Sequence, residues 1–154
     1  SYKVKAVEVD KNDFVYFNDS SLESISSINF NDFVSQNANY DVILVDINDA
    51  DIEDYCQDMV YLIEPGLIKL NKLIRKDNSI FEKLRNDKIV LNRSVLNEKD
   101  VIDFEKESGS KVFYNLPCLD DKLDDQRVLN EFLTALGFSR VEGSHSSGIF
   151  SIFR

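Results

Sequence analysis

Short apolar runs that alternate with stretches of helical character constrain the fold of this chain more than any other feature. The clearest run is 42–46, in which four consecutive apolar residues precede an aspartate. A run without polar alternation indicates a strand buried on both faces, as in a parallel sheet. Comparable runs lie at 60–64, 88–92 and 111–115. The order predicts an α/β fold: a three-layer, mostly parallel sheet with helices on both faces, Rossmann-like.

The N-terminal third is predicted to contain a hairpin followed by a helix. Residues 4–10 alternate between apolar and polar side chains, and a second β-rich run follows at 14–17. The turn-forming residues between the two runs favour a hairpin. Ser20 or Ser21 is placed to cap a helix within 21–36.

Three further helices are predicted from apolar periodicity and from capping residues. A long helix is expected at about 67–85. Another is expected to begin at Asn97 and end at Gly109, and the last is expected to run from Asp124 to Gly137. The core-facing positions predicted for the long helix are Leu67, Leu70, Ile74, Ile80, Phe81 and Leu84.

The length and the charge limit the classes of function. A chain of 154 residues fits one domain, here predicted as 1–137 with a C-terminal tail at 138–154. The formal net charge of −10 argues against binding to nucleic acid or to an anionic membrane. No apolar run approaches the roughly 20 residues that a membrane-spanning helix needs.

Few residues of the chain suit metal or nucleophilic chemistry. Cys56 and Cys118 lack a metal-binding spacing, so the prediction is two buried, reduced thiols in a cytoplasmic protein. His145 is the single histidine, which excludes a Ser-His-Asp set and makes a zinc centre unsupported. We therefore predict neither a catalytic triad nor a bound metal.

Polar residues close the predicted strands, where ligands bind in open parallel sheets. An aspartate there can hold Mg²⁺ or cap the following turn, and both roles stay open. The residues at these ends are Asp10, Asp46, Glu64, Asn92 and Asn115.

The sequence lacks a phosphate-binding loop. It has five glycines, and neither G-x-x-x-x-G-K-[ST] nor G-x-G-x-x-G occurs. Such loops need glycine because a Cβ atom blocks the close approach of the backbone to phosphate. We expect no cofactor, and ATP with Mg²⁺ only if a P-loop exists elsewhere.

The order of the strand endings resembles the part of ParA/MinD-type ATPases that follows the P-loop, over about residues 3–136. That family has an acidic strand end, a Walker B-like strand, a strand that leads to a long helix, an Asn that reads adenine and a Pro beside the base. The matching segments here are 8–10, 40–46, 60–65, 90–93 and 116–117. The resemblance implies that nucleotide contacts, if retained, lie at Asp10, Asp46, Asn92, Arg93 and Pro117.

The chain departs from that family where the phosphates would bind. The P-loop and its lysine are missing, so ATP hydrolysis is not implied. The missing P-loop strand leaves a gap in the sheet, for which residues 14–17 are a candidate filler. The resemblance implies a degenerate bacterial member with a P-loop NTPase-like fold, acting in the localisation or assembly of a secretion or pilus system.

Two alternatives stay open. The chain is the C-terminal part of a nucleotide-binding ATPase whose P-loop lies upstream of Ser1, or it is a receiver-like signalling domain. The receiver hypothesis rests on Asp46 at the end of an apolar strand, but 115–117 offers no lysine after the last strand.

Segregated charges indicate a protein partner, either another protein or a second copy of this chain. Acidic residues cluster between Asp46 and Asp58 without a base, and bases cluster on the long helix without an acid. A solvated face is the default for each cluster. The predicted basic surface consists of Lys69, Lys72, Arg75 and Lys76, and apolar tail residues for affinity are Ile149, Phe150, Ile152 and Phe153.

Overall fold

A computed structural model describes residues 2–10, 14–18, 21–25, 30–48, 53–119, 123–138 and 148–153. Within these ranges the chain forms eight strands and five α-helices. The strands are β1 Val4–Asp10, β2 Phe14–Asn18, β3 Ser21–Ile25, β4 Val42–Asn48, β5 Asp58–Ile63, β6 Lys88–Leu91, β7 Val112–Asn115 and β8 Gly148–Phe153. The helices are α1 Phe30–Gln36, α2 Leu67–Lys76, α3 Ile80–Lys83, α4 Glu98–Ser108 and α5 Leu123–Ala135.

The predicted α/β class is confirmed, because parallel strands are flanked by helices, as in a Rossmann-like three-layer fold. The chain forms two compact units. Unit 1 comprises residues 1–60 and 141–154, and unit 2 comprises residues 61–140. The single domain over 1–137 stays a prediction.

The sheet of unit 1 has the strand order β3-β2-β1-β4-β8. β4 is parallel to β1 on one side and to β8 on the other. β2 pairs antiparallel with both β1 and β3, which confirms the predicted hairpin. The run at 14–17 therefore lies beside β1 on the side away from β4, and the two neighbours of β4 are β1 and β8. The predicted filler thus lies toward one edge of this sheet rather than between β1 and β4.

One face of β1 and β4 carries the core of unit 1. The alternation of a strand places Val7, Val9 and Val45 on this face, where α1 covers them with Phe30 and Phe33. The two phenylalanine rings stack with centroids 6.1 Å apart. This helix is too short to be stable alone, so its burial against the strands holds it in place.

The three strands of unit 2 have the order β5-β6-β7, and β6 and β7 are parallel. The amide of Asn92 donates to the carbonyl of Ile63 at 2.8 Å, and the amide of Leu116 donates to the carbonyl of Leu91 at 2.8 Å. Each bond joins the last residue of one strand to the residue that directly follows the neighbouring strand. The carboxyl ends of all three strands therefore lie at one edge, called the strand edge below.

Helices cover both faces of β6 and β7. On one face α2, α3 and α4 pack against a buried cluster that includes Ile89 and Leu91. A register shift between Ile89 and Val90 places Tyr114 opposite Val90. The Tyr114 ring lies 5.0 Å from that of Phe132 in α5, so α5 covers the other face.

The capping residues act as predicted at two helix ends. The Asn97 side chain accepts from the amide of Asp100 at 3.0 Å, and Asp100 accepts in return from the amide of Asn97 at 3.2 Å. Gly109 ends α4 with a φ of 69°, a left-handed conformation that glycine adopts without strain. Gly137, with a φ of 96°, follows the end of α5.

The helix predicted within 21–36 is present, but the cap predicted for it at Ser20 or Ser21 is wrong, because α1 begins at Phe30. Residues 21–25 form β3, and α1 occupies only 30–36. Serine-rich segments have weak helix propensity, so the exposed edge of β2 decided the conformation. The last helix begins at Leu123, which puts Asp124 inside its first turn rather than at its cap.

The stretch predicted as helical at about 67–85 is helical but not continuous, because it consists of α2 and α3 separated at 77–79. The Asp77 carboxylate accepts from the amide of Ser79 at 3.0 Å and from its hydroxyl at 2.8 Å. These local bonds compete with the helical ladder and end α2. The hydrogen bond from the Lys83 ammonium, followed by those from the hydroxyl and the amide of Ser79, lowers the pKa of Asp77 to about 2.

One prediction about the strands needs correction. β4 continues to Asn48, so Asp46 lies within the strand rather than at its end. The described part of the acidic stretch forms a 3₁₀ turn at Glu53–Tyr55, and residues 49–52 lie outside the described ranges. Part of the C-terminal tail, Gly148–Phe153, forms the strand β8.

Glu105 connects α4 to the start of β7, and its removal is expected to destabilise unit 2. Its carboxylate accepts from the amide of Val112 at 2.8 Å and from the Lys111 ammonium at 3.0 Å. Glu105→Ala leaves the Val112 amide without this acceptor, so we expect a loss of about 1–3 kcal/mol in the free energy of unfolding, measured by urea denaturation.

The same residue predicts a pH dependence. The Val112 amide and then Lys111 lower the pKa of Glu105 from its ordinary 4.5. A lowered folded-state pKa gives stability that is present above 4.5 and is lost as the pH falls through the folded value. The difference between wild type and Glu105→Ala should therefore shrink on acidification. A difference that stays constant well below pH 4.5 would contradict this role.

Candidate functional site

The residues predicted to contact a nucleotide are divided between the two units. Asp10 and Asp46 belong to unit 1, whereas Asn92, Arg93 and Pro117 belong to unit 2. Each group is described within its own unit.

In unit 1 the acidic residues lie on neighbouring parallel strands. Asp10 ends β1 opposite Asn48, and Asp46 lies opposite Glu8. The side-chain amide of Asn48 donates to the Glu8 carboxylate at 3.2 Å, so side chains link β1 and β4 at this end of the strand pair. The backbone positions of Asp10 and Asp46 are thus on adjacent strands, offset by two residues.

In unit 2 the turns after β6 and β7 meet at the strand edge. The amide of Ser94 donates to the carbonyl of Leu116 at 2.9 Å, which brings the turn at 92–93 beside Pro117. Arg93 has a φ of 52°, the left-handed region, which costs a residue with a Cβ roughly 1–2 kcal/mol. The structure therefore brings Asn92, Arg93 and Pro117 to one edge.

An ion pair lies at the same edge. The Lys69 ammonium is 2.9 Å from the Glu64 carboxylate. The hydrogen bond from Lys69 lowers the pKa of Glu64, and the charges of Lys69 and Arg93 add to this effect. Lys69 was predicted as part of the free basic surface, but the structure places it in this pair.

Three large aliphatic side chains are exposed near the strand edge. Leu67 and Ile68 begin α2 after β5 and are 75% and 74% exposed, and Val95 follows β6 and is 92% exposed. All ten residues of α2 are described, and none of them is buried. Only Leu70 and Leu73 of this helix pack against the core cluster. Leu67 and Ile68 are neighbours in the chain, and neighbouring exposed aliphatics of this size are typical of interaction sites.

Positively charged residues follow the exposed aliphatic residues along α2. Ile68, Lys72 and Arg75 are spaced i, i+4 and i+7, so they share one side of the helix, away from Leu70 and Leu73. Lys72, Arg75 and Lys76 are all exposed. Among the described residues, neither Lys72 nor Arg75 forms an ion pair. We call Leu67, Ile68, Lys72, Arg75 and Val95 the α2 surface.

Sequence reasoning found the cations of this surface but not its apolar part. Leu67 was predicted to face the core because it is three residues before Leu70, yet it is exposed. Ile68 falls outside the spacing of Leu70 and Leu73, so helix periodicity could have revealed its exposure. No pattern marks Val95, which lies in a loop.

The other residues singled out from the sequence belong to the acidic segment, the two cysteines and the C-terminal tail. Glu53 and Asp54 are exposed, and within the described ranges no group of three or more His, Cys, Asp or Glu side chains could hold a metal. Cys56 is half-buried, but Cys118 is exposed, so the prediction of two buried thiols is wrong for Cys118. The tail residues Ile149, Phe150, Ile152 and Phe153 lie in β8.

Among the helices of the described ranges, none has the length and apolar character needed to cross a bilayer. Comparison with protein-family models, with curated proteins and with solved structures found no match for this chain.

Proposed function

We propose that this chain is a non-catalytic α/β domain that acts by binding another protein at the α2 surface. The observation that carries the proposal is the exposure of Leu67 and Ile68 at the start of α2 and of Val95 after β6, together with the cations Lys72 and Arg75, which form no ion pair with any described residue. Side chains this exposed contribute little to the fold of unit 2, whereas their burial against a partner would be favourable.

The expected interaction free energies assign different roles to the aliphatic and to the charged side chains. Full burial of one aliphatic side chain is worth about 1.5–3 kcal/mol. An exposed charge pair is worth about 0–1 kcal/mol, so charges mainly select the partner and accelerate association. The three aliphatics therefore supply most of the affinity, and the cations supply the preference for one partner.

We base the biological role of this binding on the resemblance to ParA/MinD-type ATPases. In the proposal the chain is a degenerate, bacterial and cytoplasmic member that helps to localise or assemble a secretion or pilus system. Supporting it are the order of the strand endings and the proximity of the Asn92 turn to Pro117. The missing glycine-rich loop supports a role without catalysis.

A second candidate is favoured by one observation. Asp10 and Asp46 lie on adjacent parallel strands, an arrangement suited to a nucleotide-binding ATPase of which this chain is the C-terminal part. A longer natural sequence with a glycine-rich loop upstream would support that candidate. The receiver-like hypothesis expects Asp46 at the end of its strand, and β4 continues to Asn48.

Site-specific photo-cross-linking in the cells of origin tests the proposed function. A photoreactive amino acid at position 67 should form a discrete cross-link to another polypeptide, because this position lies within the α2 surface. The matched control is position 102, where Ile102 of α4 is 48% exposed. Cross-links at neither position, or equal cross-links at both, would contradict binding at the α2 surface.

A further inference from the structure

The basic residues of α2 form a positively charged cluster within unit 2. Of the 28 acidic and 18 basic residues of the chain, 14 acidic and 4 basic ones lie in unit 1, and 14 of each lie in unit 2. The net charge of −10 therefore belongs to unit 1, and unit 2 is neutral. Within unit 2, residues 67–76 hold four bases and no acid. The remaining residues of unit 2 hold 14 acids and 10 bases, so the α2 surface is a positively charged region in a unit that is otherwise negative.

The apolar and the charged residues of the α2 surface lie at different positions along the helix axis. Leu67 and Ile68 lie at the N-terminal end of α2, Val95 follows β6 at the strand edge, and the cations Lys72 and Arg75 lie toward the C-terminal end of α2. Seven residues separate Ile68 from Arg75, which corresponds to about 10 Å along the axis. A partner that fits both ends must carry apolar groups and anionic groups about 10 Å apart.

A purely structural role explains only part of this arrangement. Basic residues in the last turn stabilise a helix through its dipole, which accounts for Arg75 and Lys76. The dipole accounts neither for Lys72 in the middle of the helix nor for Leu67 and Ile68, which are exposed at its start. The combination of exposed aliphatics with cations is what points to a ligand.

We infer that the partner of the α2 surface is an acidic polypeptide segment. Its apolar side chains cover Leu67, Ile68 and Val95, and its carboxylates lie over Lys72 and Arg75. This inference rests on the proposed function and names the chemistry of the partner. An anionic lipid surface fits less well, because unit 1 carries a charge of −10 and would be repelled by it.

A defined peptide provides the test. The probe is a fluorescent peptide with a leucine block followed by a glutamate block, and its counterpart carries lysines in place of the glutamates. We expect the acidic peptide to bind the full chain more tightly, with an affinity that falls as salt is added. The double reversal Lys72→Glu with Arg75→Glu should weaken binding of the acidic peptide at least about tenfold in fluorescence anisotropy.

Matched variants separate the surface from the net charge. Lys99→Glu with Lys106→Glu makes the same charge change on α4, where both lysines are exposed, and should leave the affinity within about twofold. Ile68→Ser should weaken binding, whereas Ile102→Ser should not. Urea denaturation of each variant confirms that the fold is retained, as expected for exposed positions.

Other outcomes would overturn the inference. Equal affinity for the acidic and lysine peptides, or an equal loss in both double reversals, would exclude charge recognition by α2. Binding to anionic vesicles that is lost with Lys72→Glu and Arg75→Glu, without peptide binding, would assign the surface to lipid. If cross-linking at position 67 succeeds while the acidic peptide does not bind, the inference fails and the proposed function stands.

Discussion

Phe30→Ala should lower the free energy of unfolding by about 3–5 kcal/mol, the range for removing a buried aromatic ring from a core. Phe30 is 1% exposed, and its ring lies 6.1 Å from that of Phe33 and 5.6 Å from that of Tyr55. The ring also covers the apolar face of β1 and β4. Its removal leaves α1 with one buried anchor, so the helix and the strands beneath it lose protection together.

The measurement needs a probe that reports on unit 1. The chain has no tryptophan, so urea denaturation is followed by far-ultraviolet circular dichroism. Hydrogen exchange then locates the effect, and we expect faster exchange in β1 and β4 than in wild type. Ile102→Ala, at an exposed position, should change stability by less than about 0.5 kcal/mol. A loss below about 1 kcal/mol for Phe30→Ala would mean that α1 does not close this core.

Leu91→Ala should lower the free energy of unfolding by about 2–5 kcal/mol through its effect on unit 2. Its side chain is fully buried beside Ile63, Leu84 and Ile89. The backbone bond between the carbonyl of Leu91 and the amide of Leu116 does not involve the side chain. The expected loss therefore measures packing alone, together with the cavity left behind.

Val95 supplies the matched control for Leu91. It follows the same strand and is also aliphatic, but it is 92% exposed. Val95→Ala should change the free energy of unfolding by less than about 0.5 kcal/mol in the same denaturation experiment. In the proposal, Val95→Ala weakens binding of the acidic peptide, so stability and binding depend on different residues. Equal destabilisation by both substitutions would place Val95 in the core instead.

The candidate site was only partly accessible from the sequence. Charge is a property of each residue, so the cluster of bases at 69–76 was visible directly. Whether a base is already paired depends on another segment, and Lys69 is paired with Glu64 from the loop before α2. The exposure of Leu67 and Val95 depends on which surfaces the rest of unit 2 covers, and no local pattern encodes that.

The sequence by itself determined the features that depend on neighbouring residues. The buried strand at β4, the capping box at Asn97 and the left-handed end of α4 at Gly109 follow from local apolar runs, side-chain hydrogen bonds and backbone freedom. The tertiary structure decided the features that depend on distant partners. Segment 21–25 became a strand because β2 offered unpaired backbone groups, and 148–153 became a strand beside β4 for the same reason. Strand pairing joins residues far apart in the chain, so local sequence cannot specify which edge a weakly patterned segment will join.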